Sequence, residues 1–131
     1  MRIIVIGGTG LAEQVADALH RAGDEVTVIE TVPGRESALA QAGLRAVHGD
    51  ALVPSTLEAA GALRADVLVA CTQSDEDNLV ISLLAKKRFN VPRVIARVND
   101  PASDELFDHS WGVDALISPA TSLVSMIRHE G

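Results

Sequence analysis

Six short runs of aliphatic, mostly β-branched residues punctuate this chain, and each ends on glycine or on a polar turn. They are RIIVI (Arg2–Ile6), EVTVIE (Glu25–Glu30), RAVH (Arg45–His48), DVLVACT (66–72), RVIARV (93–98) and DALI (114–117). Runs this short and this apolar suit strands covered on both faces, which is the environment of a parallel sheet. Between them lie segments with helical spacing. Leu11, Val15, Ala16 and Leu19 mark one over 10–22, stopped by Gly23. A short helix is expected over 35–42, closed by Gly43. Another is expected over 54–63, with Pro54 in its first turn. Leu79, Leu83 and Leu84 line a helix over 76–89 that Ser74 or Asp75 can cap. The spacing predicts two more over 102–110 and 119–130. Strands alternating with helices pair in parallel through right-handed crossovers. Two βαβαβ halves then give a six-stranded, Rossmann-like doubly wound sheet of order 3-2-1-4-5-6, with helices on both faces.

The chain has 131 residues, enough for one domain with one covered core. Its aromatics are Phe89, Phe107 and Trp111, with no tyrosine, so the core is built from Val, Ile, Leu and Ala. The net charge of −7 argues against a nucleic-acid partner, which requires a basic footprint. Cys71 is the only cysteine, which excludes an intrachain disulfide and a multi-cysteine metal site. His20, His48, His109 and His129 do not fall at metal-ligand spacings. No apolar run reaches the ~20 residues of a membrane-spanning helix. Met1-Arg2 leads directly into the first strand, so direct membrane insertion and a secretory leader are not expected.

In a doubly wound sheet the ligand crevice lies outside the carboxyl ends of strands 1 and 4. That rule gathers the turns after the strands. The first reads Gly7-Gly8-Thr9-Gly10-Leu11-Ala12. Matching the GxGxxG/A phosphate fingerprint on Gly7 places Thr9 second and Ala12 third. Matching it on Gly8 and Gly10 places Glu13 third, as does a GxxGxxG reading from Gly7 and Gly10. A plain tight turn also accounts for the glycines. Whatever the register, the following helix offers amides and a positive dipole end to a phosphate, and Thr9 adds a hydroxyl. Glu30 ends the second strand about 20 residues on, where the fingerprint places a ribose-binding acid. A carboxylate there accepts from both ribose hydroxyls and repels a 2′-phosphate, which favours NAD or an adenine nucleotide over NADP. Asp50 is either an adenine contact or the start of an Asx-turn. Thr72, Ser74, Asp75, Glu76 and Asn78 follow the fourth strand, where some of them must cap the next helix. Arg97 lies among apolar residues of the fifth strand. Its guanidinium needs a partner, either a bound phosphate or a carboxylate such as Asp75, Glu76 or Asp100.

These residues together resemble a known family. MRIIVIGGTG, Glu30 and the run from His48 to Asn99 are similar to the nucleotide-binding N-domain of potassium-channel and potassium-transporter regulators, the RCK or TrkA-N family. The resemblance covers nearly the whole chain. It implies NAD(H) or ATP, ADP or AMP as ligand, held by Gly7, Gly8, Thr9, Gly10, Leu11, Ala12, Glu30, Asp50, Ala51, Thr72, Asn78 and Arg97. In the family the Gly49-Asp50-Ala51 turn faces the adenine, and the turn after strand 4 lines ribose and phosphates. It further implies a regulatory, non-catalytic domain in the cytoplasm that pairs into dimers or larger rings beneath a membrane-embedded potassium transporter or channel. Many relatives carry GxGRxG where this chain has Gly10 in place of the arginine. The family's smaller C-terminal domain is expected to be absent, so residues 1–131 are expected to be one N-type domain, either a stand-alone short member or an excised domain. Two other classes stand beside this reading. A nucleotide-independent dimerisation module gains from Thr9 and Gly10. An NAD-dependent oxidoreductase fragment loses because the chain has no tyrosine for short-chain reductase chemistry and no room for a substrate domain.

Overall fold

The computed structural model describes residues 1–7, 10–32 and 34–130. Its strands are β1 (Arg2–Ile6), β2 (Glu25–Glu30), β3 (Arg45–His48), β4 (Val67–Ala70), β5 (Arg93–Arg97) and β6 (Ala115–Ile117). All pair in parallel, in the order β3-β2-β1-β4-β5-β6. This is the expected doubly wound sheet. Its reversal point falls where β1 pairs with both β2 and β4. The helices are α1 (Gly10–Arg21), α2 (Glu36–Gln41), α3 (Pro54–Ala59), α4 (Asp75–Lys87) and α5 (Pro119–Glu130).

Strand alternation sorts the core into two layers. Ile3 and Val5 of β1 join Val26 and Val28 of β2 beneath α1 and α2, packed with Ala12, Ala16 and Leu39. Ile4, Ile6 and Ile29 point the other way and meet Leu57, Leu68, Leu79 and Ile81. Each such aliphatic side chain contributes about 1.5–3 kcal/mol by leaving water. Ser74 caps α4 by accepting from the Asp77 amide at 3.2 Å, which settles the choice between Ser74 and Asp75. On the far side of α4, Lys86 Nζ donates to Asp114 Oδ2 at 2.5 Å, and the Val94 amide donates to the same oxygen at 2.7 Å. This contact holds the entry to β6.

Two expected helices differ. The segment 54–63 stops as an α-helix at Ala59, because Gly61 turns left-handed at φ 94 and a 3-10 turn follows over Ala62–Arg64. The segment 102–110 forms no α-helix. It is a 3-10 stretch over Pro101–Leu106 and a second turn over His109–Trp111. Phe107 is drawn into the core between them. Asp100 and Asp108 then take the amides of Ala102 and Ser110 at 3.0 and 2.9 Å, so local side-chain bonds replace the i→i−4 ladder.

The last helix does not fold back on the sheet. Its first turn is anchored, where Ser118 Oγ donates to Thr121 Oγ1 and Thr121 Oγ1 donates to Asp104 Oδ2 at 2.6 Å. Leu123, Val124, Met126 and Ile127 are 50–73 % exposed. No helix among the described residues is long and apolar enough to cross a membrane.

Candidate functional site: the crevice at the sheet reversal

The carboxyl ends of β1 and β4 are drawn tightly together. The Cys71 amide donates to the Ile6 carbonyl at 2.8 Å, and the Gly7 amide donates to the Ile29 carbonyl at 3.3 Å. A Cβ on Gly7 would stand 2.7 Å from the Cys71 carbonyl oxygen and 2.8 Å from Ala12 Cβ. No side chain fits, so Gly7 lets α1 and β4 approach the end of β1. Ala12 is fully buried at that contact. The geometry therefore matches the register in which Gly7 is first and Ala12 third. Gly10 opens α1, and a Cβ placed on it would have nothing within 4 Å. Leu11 is 37 % exposed beside it. Gly8 and Thr9 lie outside the described residues.

Glu30 is the most informative side chain. It ends β2, next to the glycine turn, and is fully buried. Oε1 accepts from the Val32 amide at 2.9 Å. Oε2 is buried and has no hydrogen-bond partner among the described residues. Facing it is Arg35, whose Nε stands 3.6 Å from Oε2, too far for a hydrogen bond. The Arg35 guanidinium is paired instead with Glu13 Oε1 on the first turn of α1.

Next to Glu30, the Gly49 amide donates to the Glu30 carbonyl at 3.2 Å, which brings the turn after β3 into the crevice. Asp50 Oδ1 accepts from the Leu52 amide at 2.9 Å, the Asx-turn arrangement, and the residue is exposed. Ala51 is buried.

Beyond β4 a polar network joins the ends of β4 and β5. Asn78 is fully buried on α4. Its Oδ1 accepts from the Thr72 amide at 3.0 Å and from Thr72 Oγ1 at 2.7 Å. Its Nδ2 donates to the carbonyls of Thr72 and Arg97 at 3.0 and 2.9 Å. With two acceptances and two donations, the Asn78 amide has no group left for a ligand. Its place in the crevice is that of a brace. Asp75 is occupied likewise. It accepts from the Asn99 and Asp100 amides at 2.6 and 2.9 Å and from Asn99 Nδ2 at 3.0 Å. Burial pushes the Asp75 carboxyl upward, but these amide donors outweigh it and hold the group below its usual range.

Asp75, one of the carboxylates named with Glu76 and Asp100 as a partner for Arg97, is thus taken by other donors, and no ion pair of Arg97 is found among the described residues. Arg97 is half-buried, and its Nε is buried without a hydrogen-bond partner among the described residues. Its neighbour is the Cys71 thiol. Burial pushes that thiol up, while the Arg97 charge and hydrogen bond pull it the other way. A thiol is a weak acceptor, so the guanidinium retains donors for an anion.

The sequence reading singled out neither Glu13, Arg35 nor Asn99 as contributors. Arg35 had a faint signal, a cation five residues beyond the strand-end acid. Among the described residues no three His, Cys, Asp or Glu side chains gather where they could hold a metal.

A parallel sheet of order β3-β2-β1-β4-β5-β6, with a strand-end acid and a helix N-terminus at its reversal, defines the class of Rossmann-like doubly wound α/β domains. The particular family is also clear. The chain belongs to the TrkA-N domain family, whose pattern matches residues 3–119. It is 41 % identical over 128 residues to the Trk system potassium uptake protein TrkA of Mycobacterium tuberculosis, covering 98 % of this chain and 58 % of that protein. It thus spans little more than half the length of that relative. The TrkA-N domain of inner membrane protein ybaL from Escherichia coli superposes with a TM-score of 0.88 at 18 % identity, over 98 % of this chain and 94 % of that one. The Kef CTD from Shewanella denitrificans, in its AMP-bound form, superposes with a TM-score of 0.77 at 25 % identity, over 95 % and 76 %.

Proposed function

We propose that this domain senses an adenine nucleotide on behalf of a potassium-uptake system, and that its role is regulatory and not catalytic. The carrying observation is Glu30 Oε2, a buried acceptor with no hydrogen-bond donor among the described residues. Leaving such a group unmade costs about 1–3 kcal/mol or more. A ribose diol supplies the missing donors. NAD(H), ATP, ADP and AMP all carry that diol, and the AMP-bound Kef neighbour supports the class. In this reading the phosphates lie against the amides at the start of α1, with Gly10 and Leu11 lining them. Arg97 donates to a phosphate oxygen. Asp50 turns its free oxygen toward the adenine amino group over Ala51, and Thr72 closes the ribose side. Asn78 acts by holding Thr72 and Arg97 in place.

The transported ion belongs to a partner, a membrane-embedded potassium transporter or channel subunit on whose cytoplasmic side the domain sits. A second copy of the chain packs on α5, and nucleotide occupancy changes how the paired domains sit. The test is calorimetric titration of the purified domain with AMP, ADP, ATP, NAD and NADH. At least one should bind, and Glu30→Ala should weaken it by about 1–3 kcal/mol, the range for charge-assisted hydrogen bonds. Equal binding by parent and variant removes the ribose assignment. A second reading, a dimerisation module that needs no nucleotide, draws on the exposed apolar side of α5. Dimerisation with no heat from any of the five ligands would favour it.

A further inference from the structure

Five buried side-chain polar atoms among the described residues make no hydrogen bond, and three of them belong to one cluster in which Glu13 Oε1 meets Arg35 only as an ion pair: Glu13 Oε1, Glu30 Oε2 and Arg35 Nε. Glu13 comes from α1, Glu30 from the end of β2, and Arg35 from the approach to α2. Arg35 stands between the two carboxylates. Its guanidinium is paired with Glu13, and its Nε faces Glu30 across 3.6 Å. Buried charged groups require a counter-charge, and the cation facing Glu30 Oε2 is Arg35. Yet the arrangement leaves Glu30 Oε2 without a donor, so compensation and hydrogen bonding are separated.

An arginine beside the strand-end acid is otherwise the group that accommodates a phosphate on the ribose 2′ position. Here Glu13 engages that arginine. A 2′-phosphate would meet two carboxylates and a guanidinium already paired, a local charge of −1. A 2′-hydroxyl would meet an open acceptor.

We propose that Glu13 is a specificity-determining residue: by holding Arg35 it restricts the crevice to adenine nucleotides with a free 2′-hydroxyl. The inference rests on the adenine-nucleotide reading above and adds the residue that sets the choice. It requires that freeing Arg35 makes a 2′-phosphate acceptable, and that the gain passes through Arg35 and not through the general loss of a negative charge.

The test uses two probes that differ only at the 2′ position, AMP and adenosine 2′,5′-bisphosphate, titrated calorimetrically against the parent chain, Glu13→Gln, Arg35→Gln and the double variant. The parent should prefer AMP. Glu13→Gln should narrow that preference about tenfold, the effect of one charge-assisted hydrogen bond gained by the 2′-phosphate. In the Arg35→Gln background the same Glu13 change should leave the preference where it was, which is the coupling a double-mutant cycle reads. Glu13→Ala serves as a second variant with the same expectation, and circular dichroism checks each fold. AMP binding by the parent with an unaltered preference in Glu13→Gln overturns the inference alone. An equal narrowing with and without Arg35 overturns it too, since charge removal would then suffice. No binding of AMP by the parent overturns the AMP assignment and this inference together.

Discussion

Asn78 provides the sharpest test of how the crevice is built. Replacing it with alanine removes two acceptances from Thr72 and two donations, to the carbonyls of Thr72 and Arg97. The Thr72 carbonyl keeps one donor, Asn99 Nδ2 at 3.1 Å. The Thr72 amide loses the acceptor it has. Four neutral hydrogen bonds are worth about 1 kcal/mol each net, and the fully buried site adds the cost of a small cavity. Asn99 offsets part of this, so the expected loss is about 3–4 kcal/mol. For a chain of this size the unfolding entropy is about 0.28 kcal/mol/K, so the melting temperature should fall by about 10–15 °C. Thermal melts and urea unfolding followed by circular dichroism measure both quantities. Asn78→Asp distinguishes the network from mere volume. It keeps the acceptor side, but points a carboxylate at two carbonyls inside a buried site. It should destabilise at least as much as alanine at neutral pH and recover partly in acid, where a protonated carboxyl can donate. A loss below about 1 kcal/mol in Asn78→Ala would refute the argument that this amide braces the ends of β4 and β5.

Three further outcomes follow from other parts of the structure. Gly7→Ala should destabilise by about 1–3 kcal/mol in urea unfolding, because its Cβ would press into the Cys71 carbonyl and Ala12; an unchanged midpoint would contradict the close packing. Asp75 is held below its usual range in the folded chain by the Asn99 and Asp100 amides, which outweigh the upward push of burial. Its contribution to stability is therefore full above the unfolded pKa near 3.8 and lost as pH falls through the lower folded value. Asp75→Asn should accordingly be less stable than the parent at pH 7, with the gap closing below about pH 4; a gap constant from about pH 7 to about pH 2 would refute the linkage. Leu123→Asp together with Ile127→Asp should convert a dimer to a monomer by light scattering, with circular dichroism unchanged; a parent that is monomeric at tens of micromolar contradicts pairing through α5.

The strand order was legible in the sequence because a parallel sheet leaves a local trace. Runs such as RIIVI and EVTVIE must be apolar on both faces, and the helices between them leave one handedness of crossover. The position of Glu30 was legible for the same reason, since a strand of six residues delivers its last side chain to a predictable edge. Segment 102–110 departs from its expected helix because helical spacing records which residues are apolar, and not that Phe107 is pulled inward while aspartates on either side capture the local amides. The registers of the glycine turn also could not be separated locally. What separates them is the contact of Gly7 with Ala12 and with Cys71, a residue 64 positions away in the sequence.

The sequence by itself thus determined the sheet, its reversal point and the turns that meet there, because each rests on periodicity within a few residues. Only the tertiary structure decided what the polar groups at that point do. Asn78, Asp75 and Arg97 were equivalent candidates as letters. Folding brings Thr72, Asn99 and Asp100 to the first two and satisfies them, while Arg97 receives a thiol and keeps donors to spare. Likewise the open oxygen of Glu30 faces an arginine 3.6 Å away that is paired with Glu13, a residue on another element. Hydrogen-bond satisfaction is a property of neighbours in space, and a linear pattern does not carry it.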